Sequence, residues 1–239
     1  MKEMIINFAY KILNSRYFSM LFSSYKTTWE LAGITKKTAM DAVLRGVKDE
    51  DEFYSSGKKQ AERVKNFVDE NSAVLDVGCG MGRIEKYLAE CCKEIHGVDI
   101  SGKMIKFAKN NLKEHKNAFF HKNNGKDLSI FQNNEFNFVF SIIVLQHLEK
   151  EDVYTYVSEI YRVLKPNGGV YLQFPNFLSD KVFGWFVDYA KQRSRHIARV
   201  RGYTVSEVDK IMNSVGFEDL KIMVEGDDII TIGTKSSKM

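Results

Sequence analysis

Residues 74 to 83, VLDVGCGMGR, set Gly78, Gly80 and Gly82 at alternate positions directly after a β-rich apolar run. Glycines there let the backbone come close to a ligand, and the helix that follows points its unpaired amides at whatever is bound. Turns of this kind serve dinucleotides and other nucleoside ligands alike. Two details argue against a dinucleotide. The GxGxxG pattern begun at Gly78 needs glycine at position 83, where Arg83 stands, so the close helix packing of a pyrophosphate site is not encoded. Asp76, two residues before the first glycine, is not a requirement of such a site, and a carboxylate near the loop suits a ligand that carries an amino group.

Asp99 ends HGVD, at the expected tip of a second parallel strand, where a carboxylate can accept hydrogen bonds from both hydroxyls of a ribose. The alternative is a residue that merely starts a helix, with Ser101 as its cap. His147, in VLQHL, titrates near neutrality and is the candidate general base; packed beside Leu145 and Leu148 it would instead be structural. Gln146 beside it can contact cofactor or substrate. The three cysteines, Cys79, Cys91 and Cys92, include an adjacent pair that cannot easily bridge, so a disulfide framework is not expected and a reducing, cytoplasmic setting is. No CxxC or HxxxH cluster indicates zinc.

The elements that must hold these groups follow from periodicity. With 239 residues, 44% hydrophobic, 28% charged and only two prolines, the chain is long enough and ordinary enough for one globular α/β unit with an appended cap. Residues 1 to 70 carry apolar residues at helical spacing and predict a helical N-terminal cap or lid. From Ala73 short β-rich runs alternate with amphipathic helices: AVLDV, a helix near Ile84 to Cys91, EIHGVDI, a helix over Lys103 to Glu114, AFFHK, FNFVFSI, a helix over Asp152 to Leu164, and GVYLQF. That alternation predicts βαβ units and a parallel sheet. Residues 176 to 202 read as a helical insertion after the fifth strand, and two further β-runs close the chain as an antiparallel hairpin. In the first 24 residues polar side chains interrupt the apolar ones, leaving neither a signal-peptide core nor a membrane span.

Taken together, VLDVGCGMGR, GVDISGKMIKFAK, NNGKDLSIF, EFNFVFSIIVLQHL and YRVLKPNGG resemble the class I methyltransferases that use S-adenosylmethionine (SAM), in particular the small-molecule type with a helical N-terminal cap. The resemblance runs from about Phe53 to Thr234. It implies a Rossmann-like seven-stranded α/β sheet with helices on both faces and the last strand antiparallel, and a SAM-binding methyltransferase domain over 71 to 239. It implies that Gly78, Cys79 and Gly80 approach the methionine portion of SAM, that Asp99 holds its ribose, and that Ile100 and Met104 flank its adenine. Asn124 and Gly125 stand where the family often has Asp and a small residue at the adenine edge, and Asn137 replaces the usual acid of the fourth strand. Asp76, Arg83, Ser141 and Gln146 complete the cofactor candidates.

Methyl transfer from a sulfonium is an in-line displacement that needs mainly alignment and exclusion of water, so no universal catalytic residue is expected. Enzymes that methylate the amino groups of adenine, cytosine or glutamine carry a polar residue, two prolines and an aromatic after the fourth strand; here that place reads SIIV, 141 to 144. Cytosine C5 chemistry needs a cysteine there, and all three cysteines lie upstream. Within KQRSRHIARVR, Lys191, Arg195 and Arg199 recur every four residues beside an aromatic stretch holding Trp185, and the net charge is +4. An anionic small-molecule acceptor fits that stripe, with Trp185, Arg195, Arg199 and Tyr54 as candidate contacts; a solvated cationic face is the plainer account. Rival readings are an RNA methyltransferase using the basic insertion, a non-catalytic SAM-binding scaffold, and last an NAD oxidoreductase.

Overall fold

A computed structural model describes residues 24–192 and 198–237. Three helices precede the sheet: α1 (Tyr25–Ala32), α2 (Lys36–Val43) and α3 (Glu50–Val64). Each begins on a side-chain cap. Ser24, Thr35 and Asp49 accept from the amides of Thr27, Thr38 and Glu52, satisfying donors that a helix start leaves unpaired. Glu50, Asp51 and Glu52 in the first turn of α3 and Arg63 in its last complement the helix dipole.

The sheet contains β1 (Ala73–Val77), β2 (Glu94–Asp99), β3 (Ala118–Lys122), β4 (Phe136–Ser141), β5 (Leu164–Pro175), β6 (Phe217–Glu225) and β7 (Asp228–Lys235). Their order is β3-β2-β1-β4-β5-β7-β6, with β7 antiparallel to both neighbours and the other pairs parallel. Between them run α4 (Glu85–Leu88), α5 (Gly102–Asn111), α6 (Lys150–Val163), α7 (Asp180–Lys191) and α8 (Val205–Val215). The expected seven-stranded architecture is present, including the terminal hairpin and a helix inserted after β5. Strand order reverses at β1, so the crossovers leave it in opposite directions and open a crevice at the carboxyl ends of β1 and β4.

Alternate side chains of the central strands enter two cores. Leu75, Val139 and Leu172 pack against Val153, Val157 and Ile160 of α6 and Val208 and Met212 of α8. Val74, Phe138 and Phe140 pack on the other face against Ala61 and Val64 of α3 and Leu88 of α4. One element differs from expectation: the helix predicted near Ile84 to Cys91 shrinks to four residues, because the glycine-rich turn continues to Ile84 and a second turn begins at Ala89. That shortening lets α3 lie directly over the turn. At Gly57, in α3, a Cβ would overlap the Arg83 carbonyl and stand 2.5 Å from the Arg83 Cγ.

Gly57→Ala is therefore expected to destabilise the protein by about 1–3 kcal/mol through overpacking. Gly184→Ala, in a helix where a Cβ would meet nothing within 4 Å, should leave stability unchanged or raise it. Thermal unfolding of the two variants checks this: a Tm lowered only by the first is the expected result.

Candidate active site

The turn after β1 is seated by its backbone. The Val98 carbonyl accepts from the amides of Gly78 (2.8 Å) and Cys79 (2.9 Å), and Asp99 Oδ2 accepts from Gly80 N at 3.1 Å. Asp99 Oδ1 accepts from Ser101 N at 2.7 Å, while the Ser101 hydroxyl caps α5 by accepting from Met104 N. Gly78 adopts φ +92°, and a Cβ there would lie 2.7 Å from Val144 Cγ1, so the turn needs glycine for both its conformation and its packing against the segment after β4.

A cleft partly open to solvent lies at this end of the sheet. Gly78, Gly80 and Asp99 form its floor, Ile100, Met104 and Gly125 one wall, and Ile142 to Val144 another. Ile143 holds φ +63°, a left-handed conformation that costs a β-branched residue on the order of 1–3 kcal/mol. Such strain is typically kept where a site constrains the backbone. Asp99 is the one carboxylate among the residues lining the cleft. Burial pushes its pKa up to about 6, against the Ser101 and Gly80 amides that hold it down, so it is ionised at neutral pH and ready to accept further hydrogen bonds.

The roof comes from the N-terminal helices. Tyr25 and Trp29 of α1 and Ala42 and Val43 of α2 line the cleft. Glu30 fastens α1 to the floor, accepting from Gly102 N (3.0 Å) and Lys122 Nζ (2.7 Å). The Tyr25 hydroxyl accepts from Glu149 N (2.8 Å) and donates to Asp152 Oδ2 (3.0 Å) at the start of α6. Burial raises Tyr25 to about 12, so it stays a protonated donor.

His147 closes the far end. Its Nδ1 faces the Ala198 carbonyl at 2.9 Å and must donate to it, which directs the lone pair of the neutral ring to Nε2, beside the Gln146 amide at 3.0 Å. Trp29 packs edge-on against the imidazole, centroids 5.0 Å apart. Behind it Arg201, 8% exposed, donates to the His147 carbonyl at 2.8 Å and pairs with Glu149, which also meets Arg199 Nη2 at 3.3 Å. Arg201 is the largest cause of Glu149's depressed pKa.

These observations can be set beside known proteins. Residues 74–168 match a family model described as a methyltransferase domain. The matched stretch runs from β1 into β5 and holds the glycine turn and Asp99, so over that stretch the chain is similar to a methyltransferase domain. It is 29% identical over 163 residues to a phosphoethanolamine N-methyltransferase 2 of Caenorhabditis elegans, covering 66% of this chain and 36% of that protein. It is 25% identical over 172 residues to the phosphoethanolamine N-methyltransferase of Plasmodium falciparum, covering 70% and 62%. The chain thus spans between a third and two thirds of the length of these curated relatives. A SAM-dependent methyltransferase structure from Archaeoglobus fulgidus shares the fold, with TM-score 0.65 and 18% identity over 84% of this chain and all of that one.

Seven of the predicted site residues line this cleft: Gly78, Gly80, Asp99, Ile100, Met104, Gly125 and His147. Others sit in the supporting layer. The Cys79 side chain is buried behind the turn near Gly97, Ser141 Oγ donates to the Val77 carbonyl at 2.8 Å, and Gln146 meets His147. Asn124 Oδ1 accepts from the amides of Lys126 and Asp127, capping its own turn. Asn137 Oδ1 joins Ala73 N to Lys165 Nζ at the opposite end of the sheet. Arg83 is buried with its Nη1 donating to Ser56 Oγ at 2.8 Å, and Tyr54 lies under Lys86 and against Phe53. Trp185 is half-buried on α7 beneath Lys181, and Arg195 falls outside the described residues. Sequence reasoning did not single out Tyr25, Trp29, Val43, Asn123 or Tyr156. The i, i+4 spacing of Tyr25 and Trp29 marked one helix face, but nothing local showed which cavity it would cover.

Asp76 and Glu85 form a second layer beneath the turn. Both are buried, at 3% and 0% exposure, and face each other. Desolvation, reinforced for Asp76 by the Glu85 carboxylate, raises both pKa values, that of Glu85 to about 7. A raised carboxyl pKa means that the native state binds more protons than the unfolded chain. The associated stability is present below the ordinary carboxylate range and is lost as pH rises through about 7. Glu85→Gln removes that loss, so the variant's Tm relative to the parent should be higher at pH 8 than at pH 5. An equal difference at both pH values would contradict it.

Proposed function

We propose that this chain transfers the methyl group of SAM to a small acceptor that carries both an amine and an anionic group, of the phosphoethanolamine kind. One observation carries the reading. A floor fitted to an adenosyl group is continuous, in one cleft, with an aromatic and imidazole face backed by arginines.

The residues fit the cofactor. Asp99 at the tip of β2 has acceptor capacity left after its two amide bonds, enough for ribose hydroxyls. Ile100 and Met104 supply apolar faces for a purine, and at Gly125 a Cβ would stand 3.0 Å from Ile100 Cγ1, so glycine keeps that slot narrow. Bound SAM supplies an already activated methyl group, leaving the protein to align the acceptor and exclude water. Tyr25 and Trp29 exclude water from above. His147, its tautomer fixed by Ala198, takes the acceptor amine's proton at Nε2 once the Gln146 amide that donates to that nitrogen turns away. Arg199 and Arg201, brought behind His147 by the segment after α7, attract the acceptor's anionic group. The curated relatives named for phosphoethanolamine support that acceptor class.

In this reading the cap expected over residues 1–70 is represented by α1 to α3, residues 1–23 lying outside the described ones, and 71–239 act as the cofactor domain. Among the described residues no helix is long and apolar enough to cross a membrane, and the three free cysteines suit a cytoplasmic setting.

Calorimetric titration should show saturable SAM binding that Asp99→Ala weakens at least tenfold, as expected for losing charge-assisted bonds of about 1.5–3 kcal/mol. With phosphoethanolamine as acceptor, Arg199→Gln should raise KM severalfold while leaving SAM affinity unchanged. No SAM binding by the unsubstituted protein would overturn the assignment; methyl transfer to ethanolamine as efficient as to phosphoethanolamine would overturn the anionic acceptor.

A further inference from the structure

Glu85 has no part in the reaction as described, yet it is a fully buried carboxylic acid one layer below the cofactor floor. Its carboxyl meets the Asp76 carboxyl and the backbone amides of Ile84 and Glu85, and it has no hydrogen bond to a cationic side chain among the described residues. It stands over Gly97, where a Cβ would be 2.8 Å from Glu85 Oε1 and 2.9 Å from Cys79 Sγ. The absence of a side chain at 97 is therefore what makes room for the carboxyl under the turn.

The charged and titratable groups around it are few. Asp76 projects from β1, Cys79 and Arg83 belong to the turn, and Asp99 ends β2. Arg83 is the one cation among them. The residue is 4% exposed, and its guanidinium donates to Ser56 Oγ and lies over the Phe53 ring. Asp99 is engaged by its own two amides. Two buried acids, Asp76 and Glu85, thus face one buried cation. Two ionised carboxylates beside a single guanidinium would leave an uncompensated charge in a low-dielectric interior, which costs several kcal/mol. Retention of one proton by the pair makes the cluster neutral.

Resting on the SAM reading above, we infer that Asp76 and Glu85 share this proton in the ligand-free protein and release it to solvent when the ammonium end of SAM settles on the turn, so that Glu85 is a positioning residue for the cofactor. Counted over Asp76, Glu85, Arg83 and the ligand ammonium alone, with Asp99 held separately by its two amides, the charges balance on both sides. Before binding, one carboxylate balances Arg83; after binding, two carboxylates balance Arg83 and the ligand ammonium. No bond other than that to the proton changes, and the proton goes to buffer. Burial raises both carboxyl pKa values, in keeping with a retained proton. By linkage, a ligand that releases a proton binds more tightly as pH rises, up to tenfold per pH unit for one proton.

The test is calorimetric titration of SAM into the full chain at pH 7 in phosphate and in Tris, whose ionisation enthalpies differ widely. The dependence of observed enthalpy on buffer gives the number of protons released. Release of half to one proton by the parent, abolished in the isosteric Glu85→Gln, is expected. Independently of any variant, SAM affinity of the parent should rise at least threefold between pH 6 and pH 7. Binding with no buffer dependence, or with the same dependence in Glu85→Gln, would overturn the inference while leaving the cofactor assignment intact. Failure of SAM to bind at all would instead remove the assignment on which it rests. S-adenosylhomocysteine, which keeps the ammonium and lacks the sulfonium charge, should release the same proton; release by SAM alone would reject the ammonium as the trigger.

Discussion

The carboxyl end of β2 is the anchor on which the rest of the site depends. Through the Val98 carbonyl and the Asp99 carboxylate it fixes the amides of Gly78, Cys79 and Gly80, and through Asp99 and Ser101 it starts α5. A turn pinned at so many points tolerates very close neighbours, and the chain supplies them: α3 through Gly57, the segment after β4 through Val144, and β2 itself through Gly97. Each approach is made possible by a missing side chain. Compactness and a ligand-shaped floor are therefore one property of the backbone here, and the side chains that matter most around the turn are those that are absent.

Much of this was legible because it is local. The VLDVGCGMGR turn, the strand ending in Asp99 and the alternation of β-runs with amphipathic helices each place neighbouring residues within a single βα unit, and the sheet followed from them. Less was legible where the outcome rests on contacts distant in sequence. Glu30 reaches Gly102 and Lys122, Tyr25 reaches Glu149 and Asp152, and Arg201 reaches the His147 carbonyl. No periodicity encodes such pairings. Asn137 shows the converse error of emphasis: as a departure from the family pattern it drew attention, and it joins β1 to Lys165 far from the cleft.

Arg83 and His147 show how one side chain can satisfy structure and leave function open. Arg83, noted for interrupting a dinucleotide pattern, fastens the turn to α3 through Ser56 and Phe53. His147 is packed against Trp29 and bonded to Ala198, as a structural histidine would be, yet it also lines the cleft. The two descriptions are compatible, because a proton acceptor works only if its tautomer and orientation are fixed by just such contacts.

The two halves of the cleft are built on different physical terms. The half around Asp99 is made from the turns that follow β1 and β2, of which β1 is wholly buried, and its geometry is set by backbone hydrogen bonds. The half around His147 is made where three separate segments meet: the face of α1, the turn Leu145–His147, and the stretch from Ala198 to Tyr203. These are held by side-chain bonds that a few substitutions could redirect. A change in α1 or in 198–203 reshapes the His147 end of the cleft without disturbing Asp99 or the glycine turn. The His147 end of the cleft is accordingly written in the long-range contacts, and the Asp99 end in the local ones.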